Sequence, residues 1–215
     1  ACNLGGLIAH DIASSLEGVP AIIADPVVVD EMHPLARVSG HPAFPRQSIF
    51  HALNQKAIAR RYAKDHNKKY EDLNLIVVHL GGGVSVGVHQ KGLVIDVNQA
   101  LDGEGPFSPE RTGSLPVNHI INACFSGKYT KEQIKKMIVG EGGFVAYLGT
   151  NDAYEVETKA KEGSKEHAFI QSAMAYQVAK EIGAAATVLN GKVDAIILTG
   201  GIAKGKPFDD EVIER

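Results

Sequence analysis

Three consecutive glycines, Gly81, Gly82 and Gly83, separate two apolar runs in HLGGGVSVGVH (79–89). A turn without Cβ atoms lets a ligand approach the backbone, and successive N–H groups there can form a nest for an anion. The same glycines could instead serve a tight hairpin that needs positive φ. No Gly-Lys-Ser/Thr follows, so this is not a Walker loop. A second glycine turn, Thr199-Gly200-Gly201-Ile202, ends the apolar run VDAIILTGG (193–201). Alone it reads as a plain strand-to-helix turn; two such turns at the ends of two apolar strands favour backbone approach to a nucleotide at both. Arg111, in the Gly/Pro-rich stretch FSPERTGSLP (107–116), can present a planar fork to phosphate on stiff backbone. Its alternative is a surface pair with Glu104 or Glu110. Asp25 closes PAIIAD (20–25), at a strand end where catalytic carboxylates lie, although Asp before Pro is also a turn former.

Other chemistries lack their patterns. His33, His41, His51 and His79 have no HExxH or CxxC spacing, which argues against zinc. No GxSxG elbow supports a serine hydrolase. Cys2 and Cys124 read as two reduced structural thiols of a cytoplasmic protein. Lys and Arg number 22 against 25 Asp and Glu, a net charge of −3. That provides no basic field for nucleic acid or a membrane surface. No apolar run approaches the roughly 20 residues of a membrane span, and no signal peptide is visible.

The elements that must position these residues follow from period and punctuation. Residues 4–17 carry apolar residues at helical spacing, and 20–25 read as a strand. The proline-rich stretch 25–46 reads as mainly irregular, and a loop of that length is usually functional. Residues 48–66 form a helix. Three strand-like runs follow at 73–80, 84–90 and 92–98, with Lys91-Gly92 a tight turn. Short helices are expected at 117–126, 130–139 and 152–162, and a long one at 165–190. A strand and a last helix beginning near Phe208 complete the chain. The expectation is an α/β domain with a mixed sheet, its ligands at the strand ends.

The stretch HLGGGVSVGVHQKGLVIDVNQALDGEGPFSPERTGSLP (79–116) resembles the phosphate segment and arginine loop of the acetate, propionate and butyrate kinase family, most closely its butyrate members. ILTGGIAKG (197–205) is similar to that family's adenosine segment. ADPVVVDEMHPLARVSGHP (24–42) and SIFHALNQKAIARRYA (48–63) also resemble it. The resemblance implies one lobe of an actin-like ATPase, ribonuclease H-like, with a mixed sheet flanked by helices. Residues 25–215 would be the second, nucleotide-binding lobe and residues 1–24 a remnant of the first. The chain begins without Met, and the family's N-terminal phosphate turn, a further arginine and a C-terminal magnesium carboxylate have no counterpart in it. It therefore reads as a fragment, inactive by itself.

The resemblance also assigns roles. Arg111 and His51 would flank the transferred group. Asp25 would be catalytic and orient Mg²⁺ through water. His79 and Gly81–Gly83 would hold phosphates, with Gly82 where related acetate kinases have Asn. Asp152 and Tyr154 would touch the purine, Thr199, Gly200, Gly201 and Ile202 the nucleoside, and Phe50 the acyl pocket. The implied activity is reversible transfer of the ATP γ-phosphoryl group to butyrate or a similar short or branched acid. The ligands are then ATP or ADP, Mg²⁺ and a short carboxylate or its acyl phosphate, in a homo-oligomer. The alternatives are a non-catalytic nucleotide-binding regulator and an actin-like sugar kinase using Asp25 or Asp96 as base.

Overall fold

The computed structural model describes residues 2–215, with side chains from Leu4 onward, so the Cys2 thiol lies outside the described residues. Strands β1 (Asn74–Leu80), β2 (Val84–Gln90) and β3 (Leu93–Val97) form an antiparallel meander. β4 (Ala195–Thr199) pairs parallel with β1, giving the order β3-β2-β1-β4. The Lys91-Gly92 turn has φ of +53° and +79°, the left-handed pair that a two-residue hairpin demands.

Alternation along the strands divides the interior in two. Ile76, Val78 and Leu80 of β1, with Val84, Val86 and Val88 of β2, join the larger core. That core is roofed by α8 (Lys165–Val188), α7 (Ala153–Lys161) and α9 (Lys206–Ile213). Ile170, Met174 and Val178 of α8 are buried at helical spacing, each contributing about 1.5–3 kcal/mol of burial. Leu75 and Val77 of β1 point the other way, toward Ala59 and Ala63 of α3 (Ala52–Asp65). On that second face β2 presents Ser85, Gly87 and His89, a polar row buried under α3.

The remaining helices are α1 (Cys2–Ser14), α2 (Pro34–Arg37), α4 (Val117–Cys124), α5 (Lys131–Ile138) and α6 (Gly143–Leu148). α5 starts at a capping box in which Thr130 and Gln133 satisfy each other's backbone N–H groups. No helix among the described residues is long and apolar enough to cross a membrane.

Four sequence expectations are corrected. Residues 20–25 do not form a strand: no strand pairs with them, and Ile22 and Ile23 are 77% and 47% exposed. The helix expected from Ser48 begins at Ala52, because hydrogen bonds from Phe50 N–H to Val27 O and from Ala100 N–H to Ile49 O hold the preceding residues extended. α6 was not foreseen, since GFVAYL is too short to show a period and begins with a helix-breaking glycine. Cys124 is exposed, so its thiol has no structural role in a core.

Candidate anion and nucleotide site

The parallel register of β1 and β4 sets His79 beside Thr199, so both glycine turns emerge at one sheet edge. Their glycines are needed for different reasons. Gly200 has φ +101°, and a Cβ there would lie 2.2 Å from Leu80 O, so the second turn rests on the end of β1. Gly81, Gly82 and Gly83 all lie outside the left-handed region. Hairpin geometry therefore does not explain them; neighbours do. A Cβ on Gly83 would meet Arg111 Nη1 at 2.1 Å and His51 Cε1 at 3.3 Å, and one on Gly81 would meet His79 Nε2 at 3.0 Å. The Gly81 N–H donates to Gly83 O at 3.1 Å, while those of Gly82 and Gly83 have no partner among the described residues.

Arg111 reaches this turn from a loop fastened at several points. Ser108 N–H donates to Arg111 O, Thr112 N–H to Ile138 O, Gly140 N–H to Glu110 O and Val145 N–H to Pro109 O, at 2.7–3.1 Å. The Ser108 hydroxyl donates to Gly82 O at 2.6 Å, joining loop and turn. The guanidinium donates through Nη1 to Ala100 O at 2.7 Å, and its buried Nε has no partner. The expected alternative, a surface pair with Glu104 or Glu110, does not occur. Glu104 is engaged by Arg46, and Glu110 accepts from Asn151 Nδ2. A fixed cation without a carboxylate, beside unused backbone N–H groups, is an arrangement for an anion.

His51 and His79 stack at 3.8 Å between ring centroids, 11° from parallel. His51 Nδ1 contacts Ser85 Oγ at 2.9 Å, and His79 Nδ1 contacts Asn54 Oδ1 at 2.9 Å. Burial, then His79 and Arg111, push the His51 pKa down to about 3; burial and Arg111 lower that of His79. His89, wholly buried beneath α3, is also pushed down to about 3 by burial and by Lys56 and Arg60. Folded His51 and His89 thus remain neutral where the unfolded chain protonates them, near 6.5. Unfolding takes up protons below that pH, so their contribution is complete above it and declines as pH falls toward about 3. The decline is about 1.4 kcal/mol per pH unit for each imidazole held neutral. Urea unfolding at about pH 7.5 and about pH 5 should show a clear drop in midpoint; equal midpoints would mean these rings titrate freely in the folded chain.

Next to this cluster lies a cavity of about 600 Å³, of the size that takes a nucleotide. Of the residues expected from sequence, Gly81, Gly82, Asp152, Tyr154, Gly201 and Ile202 line it, and Gly83, His79, Thr199 and Gly200 do not. Asp152 Oδ1 accepts from the N–H groups of Tyr154 and Glu155, so this side chain is the N-cap of α7. Tyr154, 77% exposed, leaves its ring free at the cavity. Sequence reasoning missed Asn151, Lys204 and Gly205 on the rim and Phe144, Gln171, Met174 and Phe208 deeper in. Gly205-Lys206-Pro207 carries a helix-start signal that could have marked the first group. The deep residues follow only from how α6, α8 and α9 pack.

Two expected residues lie differently. Asp25 Oδ2 is held by Arg60 Nη1 at 2.8 Å, with the Asp25 backbone at φ +41°. Phe50 is 2% exposed and packs with Ala52, Val94 and Val97, so it has no open face for an acyl chain and lines neither cavity.

The sequence model of the Acetokinase family matches residues 43–208. The chain is 60% identical over all 215 of its residues to Butyrate kinase 2 of Clostridium acetobutylicum, and spans 60% of that protein's length. Acetate kinase from Porphyromonas gingivalis superposes with a TM-score of 0.78 at 20% identity, over 87% of this chain and 49% of that one. A propionate kinase from Francisella tularensis subsp. tularensis SCHU S4 gives 0.74 at 23% identity, over 85% of this chain and 49% of that one. These likenesses show a shared fold.

Proposed function

The chain belongs to the acetokinase family, and on that premise we propose that it is the nucleotide-binding lobe of a kinase that phosphorylates a short-chain carboxylate. The carrying observation is the unpaired Arg111 guanidinium set against Gly83 and His51, next to a nucleotide-sized cavity that both glycine turns border. In this reading residues 25–215 form that lobe and residues 1–24 belong to the other.

A carboxylate acceptor is already ionised at neutral pH, so it needs no general base. One of its oxygens bonds to the γ-phosphorus of ATP as the bond to the β–γ bridging oxygen breaks, giving ADP and an acyl phosphate. The catalyst has to bring two anions together and stabilise charge on the phosphoryl group in transit. Arg111 and the N–H groups of Gly82 and Gly83 are placed for that charge, and Tyr154 for stacking on the base. Mg²⁺ would accompany the nucleotide phosphates and neutralise part of their charge. The near-neutral net charge gives no reason to expect a nucleic-acid or membrane partner. Homo-oligomerisation is supported by the exposed stripe Val117, Ile121 and Phe125 on and beside α4.

The relative at 60% identity favours butyrate as the acceptor. Each methylene contributes about 0.8 kcal/mol when buried, so selectivity among butyrate, isobutyrate and valerate should be shallow. The test is hydroxylamine trapping of acyl phosphate formed by the full-length protein with ATP, Mg²⁺ and acids from acetate to valerate. Product peaking near four carbons is expected. Nucleotide binding without product from any acid would overturn the kinase reading in favour of a regulator.

A further inference from the structure

Behind His51 runs a chain of buried side chains whose donors and acceptors admit one order. Gln55 Nε2 lies 3.1 Å from Ser85 O, which only accepts, so the amide NH₂ is on that side and Oε1 faces His89. Gln55 Oε1 lies 3.1 Å from His89 Nε2, and a carbonyl only accepts, so Nε2 of His89 carries its proton. Neutral His89 then offers a bare Nδ1 to the Tyr70 hydroxyl at 2.6 Å. On the other side Gln55 Nε2 also donates to Ser85 Oγ at 2.8 Å. Ser85 is fully buried, and the remaining acceptor for its one hydroxyl proton is His51 Nδ1 at 2.9 Å. Turned elsewhere, that proton would be buried without a partner.

We infer that Gln55 and Ser85, backed by His89 and Tyr70, are positioning residues that hold His51 in its Nε2–H tautomer, so that it meets the bound anion as a neutral N–H donor and not as a base. Nε2 adjoins Cε1, the atom turned toward Gly83 and Arg111, and has no partner among the described residues. A separate feature of the strand agrees. A Cβ on Gly87 would stand 2.1 Å from Gln55 Oε1, so β2 carries a glycine where the amide crosses it. The role of the anion as a phosphoryl group rests on the proposed function; the tautomer does not.

The test uses the chain with ¹⁵N-labelled histidine and long-range ¹H–¹⁵N correlation at about pH 8, where imidazoles are neutral. His51 and His89 are both expected as Nε2–H. Gln55→Glu keeps size and shape but has no N–H. Its carboxylate draws the Ser85 proton, Ser85 then accepts from His51, and His51 flips to Nδ1–H. In acyl-phosphate formation kcat should fall on the order of 10²-fold, as for loss of one oriented donor, with the nucleotide KM unchanged. Should that variant not fold, Gln55→Met carries the test: it frees the Ser85 proton, and His51 should become a mixture of tautomers. Nδ1–H on His51 in the unaltered chain, or Nε2–H retained in both variants, overturns the inference. If the unaltered full-length protein forms no acyl phosphate, the proposed function fails, while the spectra still decide the tautomer.

Discussion

Replacing Arg111 by Ala should lower kcat for acyl-phosphate formation by about 10³–10⁵-fold, the range found when an arginine is taken from a phosphoryl-transfer transition state. The nucleotide KM should change little. The reason is geometric: of the guanidinium's donors, Nη1 is used by Ala100 O, while the buried Nε has no partner and the group forms no ion pair among the described residues. Its remaining capacity is therefore available to charge that grows in the transition state, which is the kind of contact that changes rate more than binding. Arg111→Lys should recover only part of the loss, because an ammonium cannot form the planar fork. Folding can be separated from catalysis. Losing the bond to Ala100 O costs about 1–3 kcal/mol, which urea unfolding would resolve. An intact kcat with a raised nucleotide KM would make Arg111 a binding residue and remove it from the transition state.

The largest stability effect is expected away from any ligand, at Gly143. Its φ is +58°, and a Cβ there would stand 1.6 Å from Ser108 O and 3.0 Å from Arg111 O. Both obstacles are backbone, so no rotamer change relieves them, and the left-handed conformation adds about 1–2 kcal/mol by itself. Gly143→Ala should cost roughly 4 kcal/mol or more, in the range kept for strain and close-packed clashes, and should displace the loop that carries Arg111. Equilibrium urea unfolding measures the first and the rate of acyl-phosphate formation the second. A loss below about 1 kcal/mol would show that the start of α6 and the arginine loop can separate freely, contrary to the fastened loop described above. Gly83→Ala makes a useful contrast. There the obstacle is the far end of the Arg111 side chain, which can move, so activity rather than stability should suffer.

The local pieces were legible because their signals are local. The meander shows in three short β-branched runs cut by Gly81–Gly83 and Lys91-Gly92, and α8 in its alanine-rich helical run. The loop around Arg111 stands out by its glycines and prolines. Gln55, Ser85 and His89 were not singled out, since a polar residue on an amphipathic helix or in an alternating strand reads as solvent-facing. Only the closure of α3 over β2 turns that row inward and obliges each member to find a partner.

The sequence by itself determined which segments become helix or strand and where the chain turns without Cβ atoms, because backbone sterics and burial periodicity act over a few residues. It did not determine that the turns at 81–83 and 199–202 share one edge. That depends on β4 pairing in parallel with β1 on the side away from β2, a contact between segments more than a hundred residues apart. Nor did it decide between equivalent charges. Glu104 lies near Arg111 in sequence, yet it pairs with Arg46, because the fold brings Arg46 between Asp96 and Glu104 and leaves Arg111 without a carboxylate. The local sequence offered Arg111 ready partners; the tertiary structure withheld them, and an arginine so left is available to an anion.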